Sequence, residues 1–205
     1  VETFLPDGKA IQGATSHHLG QSFAKAFNIK FKDKDQKDKF GHQNSWGFST
    51  RSIGMVILMH SDDKGLDLPP KLAPMQVVIV PILFDDSRKI VLKECAKIQK
   101  ELEKQGLTVH LDDRSDYSPG WKFNEWELKG IPLRIELGPK DLAAKKVIVA
   151  RRDTGEKKAV TLVSLKKEIP ALLDKIHSAL FTKAKKHLTD SIVETDNLKD
   201  AGKII

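Results

Sequence analysis

Residues 77–80, Val-Val-Ile-Val, carry no polar side chain on either side of an extended chain. Side chains of a strand point alternately to its two faces. A strand apolar on both faces must be covered on both, which places Gln76 to Leu83 in the centre of a sheet with helices against it. The chain that follows supplies those helices. Ile90 to Gln105 has Val91, Cys95, Ile98 and Leu102 at helical spacing, and Gly106 stops it. Leu107 to Leu111 reads as a strand. Ser118-Pro119 opens a helix that runs through Lys129 and ends at Gly130. Ile131 to Leu137 alternates, with Ile131, Leu133, Ile135 and Leu137 on one face and Arg134 and Glu136 on the other. Lys146 to Arg151 and Lys158 to Leu162 flank the turn Asp153-Thr154-Gly155-Glu156, a hairpin signal. Ser164 is placed to cap a long helix with Leu165, Ile169, Leu172, Leu173, Ile176 and Leu180 along one stripe. The order β-α-β-α-β-β-β-α predicts a mixed α/β sheet.

The residues before this region are organised differently. Pro6-Asp7-Gly8 is a turn. Leu19 to Phe27 reads as a short helix, residues 30–39 as the charged tip of an exposed hairpin, Trp46 to Arg51 as a strand, and Ser52 onward as a helix ended by Ser61-Asp62-Asp63. Pro69, Pro70 and Pro74 favour an extended connector, which sets a domain boundary there.

Composition narrows the function. There is one cysteine, Cys95, so no internal disulfide and no multi-cysteine zinc site; on its apolar helical face it reads as a buried hydrophobe. No run of 18 apolar residues is present, so no membrane span is expected. The N-terminal residues, with Glu2 and Asp7, lack the pattern of a signal peptide, and a cytoplasmic location is expected. The net charge of +7 suits a polyanionic partner. No Ser-His-Asp or Cys-His arrangement marks a nucleophile. His17-His18 lacks further converging ligands, so no metal site is assigned.

Three stretches carry a resemblance. Ser45-Trp46-Gly47-Phe48-Ser49-Thr50-Arg51-Ser52-Ile53-Gly54 resembles the third signature motif of class II aminoacyl-tRNA synthetases in its prolyl version. Residues 117–142, YSPGWKFNEWELKGIPLRIELGPKDL, resemble the anticodon-binding domain of prolyl-tRNA synthetases of the archaeal and eukaryotic-cytosolic type. Residues 12–20, QGATSHHLG, are similar to the proline-pocket segment of the same enzymes. They occur in the family's order, over about residues 2–187.

The resemblance implies residues 1–70 as the C-terminal part of an antiparallel class II catalytic core, 73–187 as a mixed five-stranded α/β anticodon-binding domain, and 188–205 as the start of a C-terminal extension. It implies ATP with Mg2+ bound to it, L-proline and tRNA(Pro) as ligands, and a homodimer for the complete enzyme. Arg51, Gln12 and Thr15 are assigned to ATP. A guanidinium fork suits phosphate oxygens and can stack on a base. His17, Trp46, Ser49, Thr50 and Gly54 are assigned to the pocket for proline and its adenylate. Ser49 and Thr50 are expected to alternate sides of their strand, and Gly54 to let the following helix pack closely. Phe123, Glu127, Arg134 and Lys140 are assigned to the anticodon. An exposed aromatic can stack on an unpaired base. A carboxylate can accept from guanine N1 and N2; Arg134 and Lys140 can reach O6 and N7 or the backbone. Proline anticodons end in two guanines. The competing use of Glu127 and Arg134 is a surface ion pair between them.

Proline activation needs no protein nucleophile, because the carboxylate attacks the α-phosphate of ATP. The first two class II motifs, which supply the dimer interface and another ATP-binding arginine, are missing from these residues, as is the zinc-binding C-terminal domain. The expectation is a fragment that cannot by itself form prolyl-adenylate, with proline-dependent ATP–pyrophosphate exchange as the check. Alternatives are a naturally short, non-catalytic tRNA-binding module and a protein-interaction scaffold.

Overall fold

The computed structural model describes residues 1–204 and divides into two compact units, Val1–Met59 and His60–Ile205. The units thus divide between Met59 and His60, not at the proline cluster. Pro69 and Pro70 are buried within the second unit, where the Pro69 carbonyl accepts from Leu72 N (2.8 Å) and Ala73 N (3.0 Å). The expected extended connector is a packed turn.

The first unit is built from three antiparallel pairs. β1 (Glu2–Phe4) and β2 (Ala10–Gln12) form a hairpin around Pro6-Asp7-Gly8, with Gly8 at φ +84°. β3 (Ala14–Gly20) leads to the short helix α1 (Ser22–Ala26). Helix was expected from Leu19, but Leu19 belongs to β3, and of α1 only Ala24 is buried. β4 (Lys30–Lys32) and β5 (Asp38–Phe40) form the charged hairpin. β6 (Gln43–Phe48) pairs with β3, then α2 (Arg51–His60) follows. This unit buries only Leu5 and Ala24 among its hydrophobic residues, and it leaves Trp46 and Phe48 about four-fifths exposed (77% and 81%).

The second unit holds a five-stranded mixed sheet in the order β11-β10-β9-β7-β8. In chain order it runs β7 (Val77–Pro81), α3 (Arg88–Glu103), β8 (Val109–Leu111), α4 (Pro119–Leu128), β9 (Leu133–Leu137), α5 (Pro139–Ala143), β10 (Lys146–Arg151), β11 (Lys157–Thr161) and α6 (Leu165–Asp190). A last helix, α7 (Leu198–Ile204), lies near the end of the chain. β7 pairs in parallel with β8 and β9, and β9-β10-β11 are antiparallel. All five residues of β7 are buried, as an apolar central strand requires.

The two faces of this sheet differ. On one, Val77, Ile79, Leu133, Ile135, Val147 and Val149 meet the stripes of α3 and α6 in one core. On the other, Val78 and Val80 meet Trp126 of α4 and Ile131 in a smaller core. Ile131 therefore packs on the opposite face from Leu133, because the strand begins two residues later than its alternation suggested. α4 covers β7 on this side. Arg134, Glu136 and Lys157 carry the same face across β9 to β11.

Local signals act as expected at most ends. Ser118 Oγ accepts from Trp121 N at 3.3 Å with Pro119 at the first helical position, and Gly106 and Gly130 take φ of +82° and +71° past their helices. Ser164 does not cap α6: its Oγ donates to the Thr161 carbonyl (3.1 Å), and its backbone is already helical. α5 was not predicted. Its five residues are too few for a periodic signal, and it is set by Pro139 at its start and by Asp141 Oδ2 accepting from Gly138 N (2.9 Å).

Candidate functional site

In the first unit, Gln12, Thr15, Phe48, Ser49 and Arg51 line an open recess of about 250 Å³, together with Gly13, Ala14 and Gly47. β3 and β6 pair Thr15 with Gly47, so both point to one face. A Cβ at Gly47 would lie 2.7 Å from Thr15 Oγ1, so a larger residue there would displace that hydroxyl. His17, Trp46, Thr50 and Gly54 are not in the lining. Trp46 sits opposite Ser16, on the other face of the pair from Thr15. Ser49 and Thr50 do not alternate along a strand, because β6 ends at Phe48; both stand in the turn into α2, where Ser49 O accepts from Ser52 N (3.1 Å) and Thr50 O from Ile53 N (3.0 Å). Arg51 is the first residue of α2, not the last of a strand. Gly54 makes no close approach; a Cβ there would meet nothing within 4 Å. The close approach belongs to Gly13, where a Cβ would lie 2.8 Å from Met55 Cε.

In the second unit, the end of α4 and the start of β9 enclose a recess of about 200 Å³. Glu127, Arg134, Lys64, Arg151, Arg152 and Lys157 supply its charged lining, and Val78, Trp126 and Ile131 its apolar floor. Five cations and one carboxylate line it, but Arg151, Arg152, Arg134 and Lys157 are also paired with carboxylates outside the lining, Asp153, Asp62 and Glu136. The cations are not equivalent. Arg152 is structural: its side chain is 3% exposed, Nη1 and Nη2 bond Asp62 (3.0 and 2.5 Å), Nη2 bonds Gly65 O (3.1 Å) and Nε bonds Glu127 O (3.0 Å). That arginine clamps the turn 62–65 onto α4 and holds the Asp62 carboxyl down to about 2. Arg151 is held in two bonds by Asp153 (3.0 and 2.7 Å).

Arg134 is half-buried and does not point straight out. Its guanidinium lies 4.3 Å over the Phe123 ring and bonds Glu136. Glu127 reaches Lys64 at 3.4 Å. Glu127 and Arg134 therefore do not pair with each other, and each keeps capacity for a ligand. Glu127 and Arg134 line the recess, and Phe123, itself outside the lining and partly buried, adjoins it through its ring beneath the Arg134 guanidinium. Lys140 does neither: it is exposed on α5, beyond the C-terminal end of β9, and lines no part of the recess.

α4 is itself fixed by a network no periodicity announced. Lys122 and Trp126, four apart on α4, both turn inward to Asp112. Trp126 Nε1 donates to Asp112 Oδ2 (2.8 Å); Lys122 Nζ donates to the carbonyls of Asp112 (3.0 Å) and Arg114 (2.5 Å). Arg114 bonds both oxygens of Asp112 (2.8 and 2.7 Å) and also Glu125. Burial opposes the Asp112 charge, but the hydrogen bonds from Arg114 and Trp126 and the Lys122 charge outweigh it and hold the carboxyl well below its ordinary range. Sequence reasoning also missed Lys64, Glu136, Arg151, Arg152 and Lys157. Lys157, opposite Ala150 across the hairpin, had a signal in the register; Lys64 had none.

Among the described residues no helix is long and apolar enough to cross a membrane, and no group of three acidic, histidine or cysteine side chains could hold a metal ion.

Residues 76–172, which include all five strands of the mixed sheet, match the family described as anticodon binding domain. The whole chain is similar to proline–tRNA ligases. It is 53% identical over 185 residues to the proline–tRNA ligase of Chloroherpeton thalassium, covering 90% of this chain and 38% of that protein. It is 48% identical over 204 residues to proline–tRNA ligase 2 of Bacillus cereus (100% and 42%). It is 47% identical over 207 residues to the bifunctional glutamate/proline–tRNA ligase of Drosophila melanogaster (98% and 12%). The chain spans about two-fifths of the length of these proline–tRNA ligases and about an eighth of the bifunctional one.

Proposed function

We propose that the chain is a segment of a proline–tRNA ligase, an enzyme that activates L-proline with ATP and transfers it to tRNA(Pro), and that its second unit reads the tRNA(Pro) anticodon. The observation that carries this reading is the meeting of Glu127 and Arg134 in one cation-lined recess, with Phe123 against the Arg134 guanidinium, inside the residues that match the anticodon binding domain family. Arg134 supplies N–H groups to guanine O6 and N7, and Glu127 accepts from N1 and N2. Phe123 backs Arg134 and offers its remaining surface to an unpaired base. Lys140, exposed on α5, serves the RNA backbone.

In the first unit Arg51, Gln12 and Thr15 serve ATP, and His17, Trp46, Ser49, Thr50 and Gly54 serve proline and its adenylate. The Arg51 guanidinium, exposed beside the Thr15 and Ser49 hydroxyls, fits a phosphate. Magnesium enters as a companion of the ATP phosphates. The proline carboxylate displaces pyrophosphate from the α-phosphate, and these residues bind and orient the reactants. The motifs support the archaeal and eukaryotic-cytosolic type, and the resemblance supports a cytoplasmic homodimer for the complete enzyme.

The test is binding of tRNA(Pro) and a non-cognate tRNA by the Arg134→Ala and Glu127→Ala variants. Loss of discrimination is expected, with the salt slope kept. Uniform weakening with a flatter salt slope would make Arg134 a phosphate contact and end its base-reading role.

A further inference from the structure

Glu136 is 6% exposed, so its carboxylate needs partners, and both it has are cations of the reading face. It stands two residues beyond Arg134 on β9, on the same side of the sheet. Its Oε1 accepts from Arg134 Nε (3.1 Å) and Nη2 (2.9 Å). Lys157 Nζ, arriving from β11, lies 2.9 Å from Oε1 and 3.2 Å from Oε2. Both cations lean on one ring: Arg134 Cζ is 4.3 Å and Lys157 Nζ 5.3 Å from the centre of Phe123. Arg134 Nη1 also donates to the Phe123 carbonyl at 3.4 Å. One carboxylate therefore fixes two cations against one aromatic ring.

The geometry leaves Arg134 with specific free donors. A guanidinium has five N–H groups. Nε and one hydrogen of Nη2 go to Glu136, and one hydrogen of Nη1 goes to Phe123 O. One hydrogen on each terminal nitrogen remains, the two-pronged donor set that matches the paired acceptors of guanine. Without Glu136 only the 3.4 Å bond to the Phe123 carbonyl and the contact with its ring are left to hold the Arg134 side chain, and two like charges beside one ring repel.

We infer that Glu136 is a positioning residue for anticodon recognition, orienting Arg134 and Lys157 before RNA arrives. This rests on the anticodon reading above. The test uses the 205-residue chain and fluorescence anisotropy with RNA hairpins carrying the tRNA(Pro) anticodon loop, or that loop with either anticodon guanine replaced by adenine. Wild type favours guanine. Glu136→Gln, equal in size and uncharged, is expected to lower that preference about tenfold to a hundredfold, the span of a bidentate base contact, while changing adenine-hairpin affinity by less than about threefold. In an Arg134→Ala background the same substitution should change the preference by less than about twofold, because its route is already gone.

Equal weakening of every hairpin, or an undiminished effect in the Arg134→Ala background, would overturn the inference and leave the anticodon reading standing. A wild-type chain indifferent to guanine and adenine would overturn both. If Cys95 accessibility shows that Glu136→Gln opens the fold, Glu136→Asp decides. It keeps the charge, so an intermediate preference supports positioning, and an unchanged preference refutes it.

Discussion

Replacing Lys122 by methionine should destabilise the second unit by about 3 kcal/mol, the low end for breaking a buried ion pair. Lys122 is 2% exposed, and its ammonium serves the carbonyls of Asp112 and Arg114 and lies 3.5 Å from Asp112 Oδ1. Methionine keeps the apolar stem and removes the donor. The Asp112 carboxylate stays held by Arg114 and Trp126, so it is not orphaned. The two carbonyls are, at about 1–3 kcal/mol each. Removing a charge that was costly to bury offsets part of that, which leaves about 3 kcal/mol. Cys95 provides the assay. It is the only cysteine, fully buried on the inner face of α3 in the core of this unit, and burial pushes its thiol up to about 12. Thiol labelling in the native state should therefore require opening of the unit, and at about 1.4 kcal/mol per tenfold it should run roughly a hundredfold faster in Lys122→Met. Arg114→Met, which takes both Arg114 hydrogen bonds from the fully buried Asp112 carboxylate, should accelerate labelling as well. An acceleration below about threefold for Lys122→Met would mean water already satisfies those carbonyls, and the account of α4 as an anchored platform would fail.

Two further outcomes follow from groups around the turn 62–67. Asp67 is 4% exposed with Oδ1 unpartnered, and burial raises its carboxyl from 3.8 to about 6. The folded state then binds more protons than the unfolded state between those values, so this group makes stability fall as pH rises through that window. Asp67→Asn should match wild type near pH 4 and exceed it above pH 6, by up to about 3 kcal/mol in urea denaturation; an equal gain at both pH values would exclude the mechanism. Gly130→Ala should cost more than the ~1 kcal/mol of an ordinary helix-end glycine. Gly130 has φ +71° and a Cβ there would lie 2.6 Å from Leu66 Cβ and O, while Gly65 is pressed equally closely on Leu128 O (2.5 Å). A thermally neutral Gly130→Ala would show that this crossing is loose.

The second unit was largely legible because its signals are local and repeated. Val77 to Val80, the stripes of α3 and α6, and the Ser118-Pro119 start and Gly130 stop each dictate one element. Phe123, Glu127 and Arg134 of the proposed site all stand in the motif, and alternation along β9 also sets Arg134 apart from the buried Leu133, Ile135 and Leu137. What was not legible depends on tertiary pairing. Nothing in the spacing marks Lys122 as a buried lysine, since its partner Asp112 lies in a loop ten residues earlier. Nothing assigns Arg152 to Asp62, ninety residues away in the chain. Pro69 and Pro70 were read as a linker because proline signals an extended backbone and says nothing of burial. The first unit was less legible because its strands run three to seven residues and its apolar side chains are largely exposed, so periodicity has little to report.

The proposed function puts the anticodon on the face of the sheet that carries Arg134, beside Phe123 and Glu127. Photocrosslinking tests it most directly, using a tRNA(Pro) anticodon hairpin with 6-thioguanosine at either anticodon guanine and mass spectrometry of the adducts. The account predicts adducts on the segments around Phe123–Glu127, Arg134 and Lys157. Adducts confined to α3 or α6, on the opposite face, would contradict it.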